Sequence, residues 1–265
     1  LIERFQCTCT FGLPSMVQLL LEEQTLSPRQ VRSIRAFFVG GDAVPLSTHE
    51  RFQEQFGIAL RECFGMTETS FAIGNPAGAI RPGSLGIPGD GVQAMVVDSN
   101  GREVPDGQTG ELIVKTPVSL VGYWDDPAAT KAALKDCWLF TGDLVRRDSD
   151  GYFWFEGRKK QIIVRDGFNI SPQEVEEAIY THPAVLEVGV IGMPDSVEAR
   201  GERVLAFVAL RDGCVTSEDE LREHARGRLA DLKVPEKILF MEKLPKGISG
   251  KIQRAALKQL QLAAA

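Results

Sequence analysis

The sequence has 265 residues, of which 43% are hydrophobic and 25% charged, a composition typical of one large globular domain or two smaller ones. Its net charge of −6 argues against general nucleic-acid binding, because such binding needs a surplus of basic residues. No apolar run approaches the roughly 20 residues of a membrane-spanning helix.

The cysteines and histidines show no pattern typical of a metal site or a disulfide framework. The five cysteines are scattered without a Cys-x-x-Cys pair, and the three histidines lie far apart. This pattern predicts a reduced, cytoplasmic protein. The first residues contain neither a signal peptide nor an initiating methionine, so we expect the chain to be part of a longer protein.

The first part of the chain predicts an α/β layer. The predicted elements are a helix over 14–24, a strand over 34–39, a helix from Ser47 with a capping box at 47–50, and a strand over 59–63. Layers of this kind bind ligands at the carboxyl ends of their strands. We expect Gly40-Gly41 and residues 65–68 to lie at that edge.

The pattern changes near Pro82 to short strands with tight turns. Ser99-Asn100-Gly101 is a strong hairpin-type turn. Strands are predicted over 92–98, 111–115, 130–134 and 152–156. Together these segments predict a small, mostly antiparallel β subdomain.

A boundary is predicted near residues 157–160, and a compact α+β module follows it. Ser171, Pro172 and Glu174 predict a helix start with a capping box. The other elements are predicted as strands over 161–164, 185–191, 204–210 and 238–241, and a helix marked by Leu221, Ala225 and Leu229.

The module ends in a loop that carries two lysines, Lys246 and Lys251. Pro245, Gly247 and Gly250 predict irregular backbone around them. Lysines presented in this way suit a phosphate or a carboxylate, although the residues alone also fit a solvated basic loop. The glycine spacing is too short for a phosphate-binding P-loop.

Residues 245–254, Pro-Lys-Gly-Ile-Ser-Gly-Lys-Ile-Gln-Arg, resemble the C-terminal signature of the adenylate-forming acid ligases. This family includes acyl-CoA synthetases, adenylation domains of peptide synthetases and firefly-type luciferases. Further segments resemble its motifs, in the family's order. They are Gly40-Gly41-Asp42-Ala43, Phe64-Gly65-Met66-Thr67-Glu68, Gly110-Glu111-Leu112, Gly122-Tyr123-Trp124, Thr141-Gly142-Asp143, Gly157-Arg158-Lys159-Lys160 and 165–170.

The resemblance implies two domains. Residues 1–159 would be the C-terminal part of the large AMP-binding domain, and residues 160–265 a mobile lid domain. The Ser/Thr/Gly-rich phosphate loop that the family carries upstream is absent from this sequence. We therefore expect a fragment that does not catalyse adenylation alone.

The resemblance also implies roles for individual residues. Lys251 would catalyse adenylation, Thr67 would contact the α-phosphate, and Glu68 would hold Mg²⁺. Nucleotide binding is further assigned to Gly41, Asp42, Ala43, Phe64, Gly65, Asp143 and Arg158. Phe64 would pack on adenine, whereas Asp143 and Arg158 would contact the ribose.

The remaining assignments concern the hinge and the other substrates. They are Lys160 as the hinge, Gly167 and Lys233 for CoA, and Gly40, Phe71 and Ala72 for the acyl pocket. The residues alone leave simpler readings open. They are a helix cap at Asp42, ordinary turns at Gly142-Asp143 and Gly167, a solvated Lys233, and mainly structural roles for 110–112 and 122–124.

The implied reaction has two steps. A carboxylate attacks the α-phosphate of ATP, which forms an acyl-adenylate and releases pyrophosphate, and the thiol of CoA then displaces AMP. Rotation of the lid would withdraw Lys251 after the first step and bring Gly167 to the thiol channel. Small residues in 69–72 favour a medium or longer aliphatic acid.

Two other readings stay open at this point. Within enzymes, the alternative to a CoA ligase is an adenylation domain that loads a carrier protein, or a ligase that stops at the adenylate. A non-catalytic interaction module is the alternative of another class. A homodimer is also compatible with the sequence.

Overall fold

The computed structural model describes residues 1–195, 197, 200–247 and 250–263. The chain forms two compact units, Leu1–Phe155 and Glu156–Ala265. The first is an α/β layer with a β subdomain and the second is α+β, as the sequence predicts. Within the described residues, no helix is long and apolar enough to cross a bilayer. The functional division into 1–159 and 160–265 stays a prediction.

The first unit contains four helices and the strands of two sheets. Its helices are α1 (Ile2–Phe5), α2 (Pro14–Leu26), α3 (Leu46–Phe56) and α4 (Pro127–Ala133). Its strands are β1 (Cys9–Gly12), β2 (Ala36–Gly40), β3 (Leu60–Met66), β4 (Ser70–Gly74), β5 (Ile87–Pro88), β6 (Gln93–Val97), β7 (Thr109–Lys115), β8 (Leu134–Lys135), β9 (Trp138–Arg147) and the first half of β10 (Phe153–Arg158), whose last residues belong to the second unit.

The first sheet has the strand order β1-β2-β3-β4-β5. Strands β1, β2 and β3 are parallel, and β4 turns back antiparallel to β3. Helices α2 and α3 bury their apolar sides against this sheet, where Phe37 and Phe52 meet edge to face at 4.9 Å. Full burial of one such side chain stabilises the fold by about 1.5–3 kcal/mol. This core holds the strand ends at fixed positions.

The second sheet has the order β10-β9-β7-β6, with β8 paired to β9. The sequence predicts a strand over 130–134, and this prediction is wrong, because residues up to Ala133 belong to α4. Asp126 caps this helix by accepting a hydrogen bond from the Ala129 amide at 2.8 Å, and Pro127 occupies its first turn. A cap followed by proline and alanine-rich sequence favours a helix over a strand.

Two predicted capping boxes do not form. Helix α3 begins at Leu46 after Pro45, so Ser47 lies inside the helix and makes no cap. Helix α5 (Pro172–Tyr180) does begin after Ser171, as predicted, but without a side-chain cap. The carboxylate of Glu174 instead binds Lys233.

The second unit is built on a three-stranded sheet and a separate hairpin. Its strands are β11 (Ile163–Arg165), β12 (Phe168–Ile170), β13 (Val185–Pro194), β14 (Glu202–Leu210) and β15 (Lys237–Phe240). Its helices are α5 (Pro172–Tyr180), α6 (Glu218–Arg226) and α7 (Arg254–Ala263), with a 3-10 turn at Asp231–Lys233.

Both faces of the three-stranded sheet are covered, which explains the continuous apolar runs of β13 and β14. One face carries Val190 and Val208 against α5 and α6. The opposite face carries Ile191 and Phe207 together with Leu257 of α7. The chain leading into α7 is thereby fixed to the sheet.

The hairpin β11–β12 turns at Asp166-Gly167, where both residues have positive φ, 49° and 80°. Asp-Gly is a favoured pair for this type of two-residue turn. The hairpin rests on Gly201, because a Cβ there would lie 2.5 Å from the Val164 carbonyl oxygen. Gly201 thus allows the close approach that holds the hairpin.

We predict that Gly201→Ala lowers the free energy of unfolding more than Gly213→Ala. Both glycines have positive φ, 75° and 76°, so alanine costs about 1 kcal/mol at either position. Only at Gly201 must the backbone also move, since a Cβ at Gly213 meets nothing within 4 Å. Urea unfolding should show a further loss of about 1 kcal/mol or more at Gly201. Equal losses would contradict the close approach.

Candidate nucleotide site and lysine loop

The hairpin between β3 and β4 presents Thr67 and Glu68. A Cβ on Gly65 would lie 2.4 Å from the Ser70 carbonyl oxygen, so the strands can approach only because residue 65 is glycine. The Thr69 amide donates to the Met66 carbonyl at 3.0 Å and closes the turn. Thr67 is exposed at its tip, and Glu68 is half-buried beside it.

Glu68 is held by the loop between β7 and α4. The Tyr123 hydroxyl donates to Glu68 Oε1 at 2.8 Å, and the Leu120 amide donates to the Glu68 carbonyl oxygen at 2.7 Å. The bond to Glu68, followed by partial burial and the carboxylate charge, raises the pKa of Tyr123. The phenol therefore remains a donor at neutral pH. Tyr123 comes from a segment that the sequence suggests is mainly structural.

The segment Gly40-Gly41-Asp42-Ala43 follows β2 directly. Gly40 lies against β3, because a Cβ there would be 2.6 Å from the Cys63 carbonyl oxygen. Gly41 has a φ of 95°, so the chain turns away from the sheet there. Asp42 is exposed and is not the cap of α3, since that helix begins after Pro45. The turn lies at the carboxyl edge of the sheet, next to the β3 strand end.

Thr141-Gly142-Asp143 forms a bulge inside β9 rather than an ordinary turn. Glu111 pairs with Leu144 and Ile113 pairs with Phe140, so the three motif residues face Leu112 alone. Gly142 has a φ of 74°, which glycine tolerates at a bulge. Asp143 is 2% exposed. A bulge of this kind changes the direction in which side chains leave the strand.

The neighbouring strand β7 stabilises this bulge. The Thr141 hydroxyl donates to the Leu112 carbonyl at 2.8 Å, and the Gly142 amide donates to Glu111 Oε1 at 3.1 Å. The Asp143 amide donates to Thr141 Oγ1 at 3.1 Å. Glu111 and Leu112 belong to the motif 110–112. Their hydrogen bonds to the bulge give this motif a structural role.

The three predicted acyl-pocket residues differ in exposure. Phe71 is 63% exposed and meets Phe11 edge to face, with ring centroids 5.5 Å apart. Ala72 is buried in the core between the two sheets, and Gly40 packs against the Cys63 carbonyl oxygen. Of these three residues, Phe71 therefore has the side chain that a ligand could contact. Their role as an acyl pocket stays a prediction.

In the second unit, the predicted hinge and CoA residues lie at the surface. Arg158 and Lys160 are exposed at the end of β10, and Gly167 is exposed at the tip of the β11–β12 hairpin. Lys233 Nζ binds both carboxylate oxygens of Glu174, at 2.6 and 2.8 Å. Lys233 is thus partly neutralised, and any contact with a CoA phosphate would compete with Glu174.

The lysine loop is fastened to β13 at one end and to α5 at the other. Lys246 pairs with Glu187, and Arg254 pairs with Glu176 at 2.7 Å. Glu176 also accepts from the Val190 amide at 2.7 Å, which ties the start of α7 to the sheet. Two residues of the loop signature, Ile248 and Ser249, lie outside the described residues.

Lys251 differs from the other basic residues of the loop. Its carbonyl accepts from the Gly247 amide at 2.9 Å, and Gly250 turns the chain with a φ of 77°. Within the part of the chain that the structure describes, no carboxylate forms an ion pair with Lys251. Its backbone is held while its ammonium group remains available for an anion.

Comparison with known proteins agrees with these features. A family model described as AMP-binding enzyme matches residues 1–124, and one described as AMP-binding enzyme C-terminal domain matches residues 174–251. The chain belongs to the AMP-binding, adenylate-forming enzyme family, which confirms the family predicted from the motifs.

Individual relatives match nearly the whole chain in sequence. The chain is 39% identical to a sulfoacetate–CoA ligase of Cupriavidus necator over 96% of its own length and 50% of the relative. It is also 39% identical to a long-chain-fatty-acid–CoA ligase of Bacillus subtilis, over 97% of the chain and 46% of the relative. The chain thus spans about half the length of the curated relatives it matches.

A solved structure gives the same result for the fold. The ATP-bound crystal structure of MatB from Rhodopseudomonas palustris matches with a TM-score of 0.91 and 34% identity, covering 98% of this chain and 52% of MatB. This likeness confirms the predicted fold class. The roles of the single site residues stay predictions.

We predict that Cys63 does not react with thiol reagents at pH 8 in the folded protein. Burial, followed by the charge of Glu62, raises its pKa to about 11, so the nucleophilic thiolate is a very small fraction. The exposed cysteines Cys9, Cys137 and Cys214 serve as internal controls. Alkylation followed by peptide mass spectrometry should modify these three, and should modify Cys63 only in urea. Rapid labelling of Cys63 in the native protein would contradict the burial of its side chain next to Gly40.

Proposed function

We propose that the intact protein is an AMP-forming acid–CoA ligase, with ATP, a carboxylic acid and CoA as its substrates. The support is the family membership, the CoA ligases among the relatives and the motif residues at the strand ends. The observation that carries the proposal is the Thr67-Glu68 turn, with Thr67 exposed and Glu68 half-buried, beside the Gly40–Ala43 turn on one sheet edge. A carboxylate and a hydroxyl there suit a magnesium–nucleotide complex.

The nucleotide would be bound by the first unit and by Arg158. Gly41, Asp42 and Ala43 would contact adenine through exposed backbone, and Phe64 would pack against it. Gly65 lets the hairpin form, Thr67 would donate to the α-phosphate, and Asp143 would accept bonds from the ribose hydroxyls.

Glu68 fits a magnesium ion that is held mainly by substrate phosphates. Mg²⁺ commonly takes one or two protein carboxylates together with phosphate oxygens and water. Among the described residues, no cluster of three or more His, Cys, Asp or Glu residues could hold a metal by itself. When bound, the ion would neutralise charge on the phosphate oxygens. Glu68 would hold it with the oxygen that Tyr123 leaves open.

Lys251 would stabilise the negative charge that develops on the α-phosphate during adenylation. This role is supported by a difference within the loop. Lys246 and Arg254 are paired with carboxylates, whereas Lys251 forms no ion pair with any carboxylate among the described residues. Lys160 stays the predicted hinge, and Gly167 and Lys233 stay the predicted CoA contacts.

The acid would be aliphatic, bound near Gly40, Phe71 and Ala72. The exposed ring of Phe71 offers apolar surface for such a chain. We also propose a cytoplasmic location, because all five cysteines are free. A homodimer stays a prediction.

ATP–pyrophosphate exchange with a panel of acids, followed by a CoA consumption assay on the intact protein, tests the proposed function. Exchange and CoA consumption are the expected result. Exchange without CoA consumption would indicate a carrier-loading domain or a ligase that stops at the adenylate. Absence of exchange with every acid would contradict the enzyme reading and favour an interaction module.

We predict that Lys251→Ala slows adenylation by about 10²-fold or more, because a cation is lost from the charged transition state. Thioester formation from preformed acyl-adenylate should be nearly unchanged. Pyrophosphate exchange measures the first step, and acyl-CoA formation from synthetic acyl-adenylate measures the second.

Lys243→Ala is the matched control, since Lys243 is an exposed lysine just before the loop. It should change neither step by more than about twofold, as expected for a solvated charge. An equal loss of both steps in Lys251→Ala would refute the assigned role.

A further inference from the structure

The loop between β7 and α4 fixes Glu68 at two points. The Leu120 amide binds the Glu68 carbonyl, at 2.7 Å, and the Tyr123 hydroxyl binds the end of the side chain, at 2.8 Å. The first bond already joins the loop to the hairpin. The second bond orders a flexible carboxylate, which otherwise would sample several rotamers.

Tyr123 is itself placed by the start of α4. Its amide donates to Thr130 Oγ1 at 2.9 Å, and the Thr130 hydroxyl donates to the Asp126 carbonyl at 2.9 Å. The Asp126 carboxylate accepts from the Ala129 amide at 2.8 Å and caps the helix. The position of the Tyr123 backbone is therefore set by a capped helical turn.

Gly122 leaves room for this arrangement. A Cβ on residue 122 would lie 3.2 Å from both Cγ2 and Oγ1 of Thr130. Such a contact would push Thr130 away from the Tyr123 amide. Gly122 therefore leaves space for the Thr130 side chain that binds the Tyr123 amide.

The bond from Tyr123 leaves Glu68 able to bind a cation. An ionised carboxylate offers about four lone-pair positions, and the phenol occupies one of them on Oε1. Within the described ranges, no other side chain forms a hydrogen bond or ion pair with Glu68. Its Oε2 atom therefore remains open, in an orientation that the phenol fixes.

We propose that Tyr123 is a positioning residue for the Glu68 carboxylate and thereby sets the affinity of the site for a magnesium–nucleotide complex. This inference rests on the proposed function, in which Glu68 holds Mg²⁺. Tyr123 touches neither the nucleotide nor the ion in this assignment. It acts by limiting Glu68 to one orientation before the complex binds.

The test is Tyr123→Phe in the intact protein, because this change removes the hydroxyl and keeps the ring. The Mg²⁺ concentration for half-maximal ATP–pyrophosphate exchange should rise about tenfold, as expected for the loss of a hydrogen bond to a charged group. The exchange rate at saturating Mg²⁺ should stay within about twofold.

A second readout does not depend on turnover. Mn²⁺ binding in the presence of ATP, without acid, can be followed by electron paramagnetic resonance and should weaken by a similar factor. The affinity for AMP without metal should be unchanged, since the phenol acts on the carboxylate alone.

Two control variants separate positioning from general damage. Tyr152→Phe also removes a phenol hydrogen bond, to the Ala79 carbonyl at 2.6 Å, and should leave the Mg²⁺ requirement unchanged. In a Glu68→Gln background, Tyr123→Phe should cause no further loss of metal affinity. Thermal unfolding of each variant checks that it is folded.

The outcomes distinguish a failure of the positioning role of Tyr123 from a failure of the proposed function. An active protein whose Tyr123→Phe variant keeps the original Mg²⁺ requirement overturns the positioning role alone. Parallel losses of maximal rate and metal-free AMP affinity also overturn it, because they indicate a structural role. If the unsubstituted protein neither exchanges pyrophosphate nor binds nucleotide, the proposed function and this inference both fail.

Discussion

Close approach of backbone at the strand ends is the constraint on which the candidate site depends. Gly40 lies against the Cys63 carbonyl and Gly65 against the Ser70 carbonyl, at separations that no Cβ would permit. These two contacts bring the turn after β2 and the β3–β4 hairpin to one sheet edge. The helices on the sheet provide the rigid core beneath them. The turns that carry the chemical groups are therefore positioned by main chain, and the Tyr123 hydroxyl then orients the Glu68 carboxylate.

In the second sheet, the main chain also determines the position of Asp143. A regular strand would alternate side chains between its two faces, whereas the bulge at 141–143 interrupts this alternation. Glu111 and the Leu112 carbonyl then hold the bulge through hydrogen bonds. Motifs that look separate in sequence, at 110–112 and 141–143, are thus two sides of one structural feature.

The sequence predicts regular elements well where the apolar pattern is long, as in β13 and β14, and fails where local signals compete. A strand is predicted over 130–134, yet the Asp126 cap, Pro127 and the alanine-rich sequence make residues up to Ala133 helical. Ser47 and Ser171 have the spacing of capping boxes, but the helix start at Leu46 and the pairing of Glu174 with Lys233 prevent them. The site motifs were recognisable from residue order, whereas the contact of Tyr123 with Glu68 was not, because 55 positions separate the partners.

The pairing of Lys246 and Arg254 with carboxylates has a consequence for how an anion reaches the loop. Paired charges produce little field at a distance, and at physiological ionic strength a lone ammonium is screened within about 8 Å. The loop therefore does not act as a basic funnel that accelerates the approach of phosphates from bulk solvent. In the proposed function, Lys251 would act at short range, on a ligand that other contacts already hold.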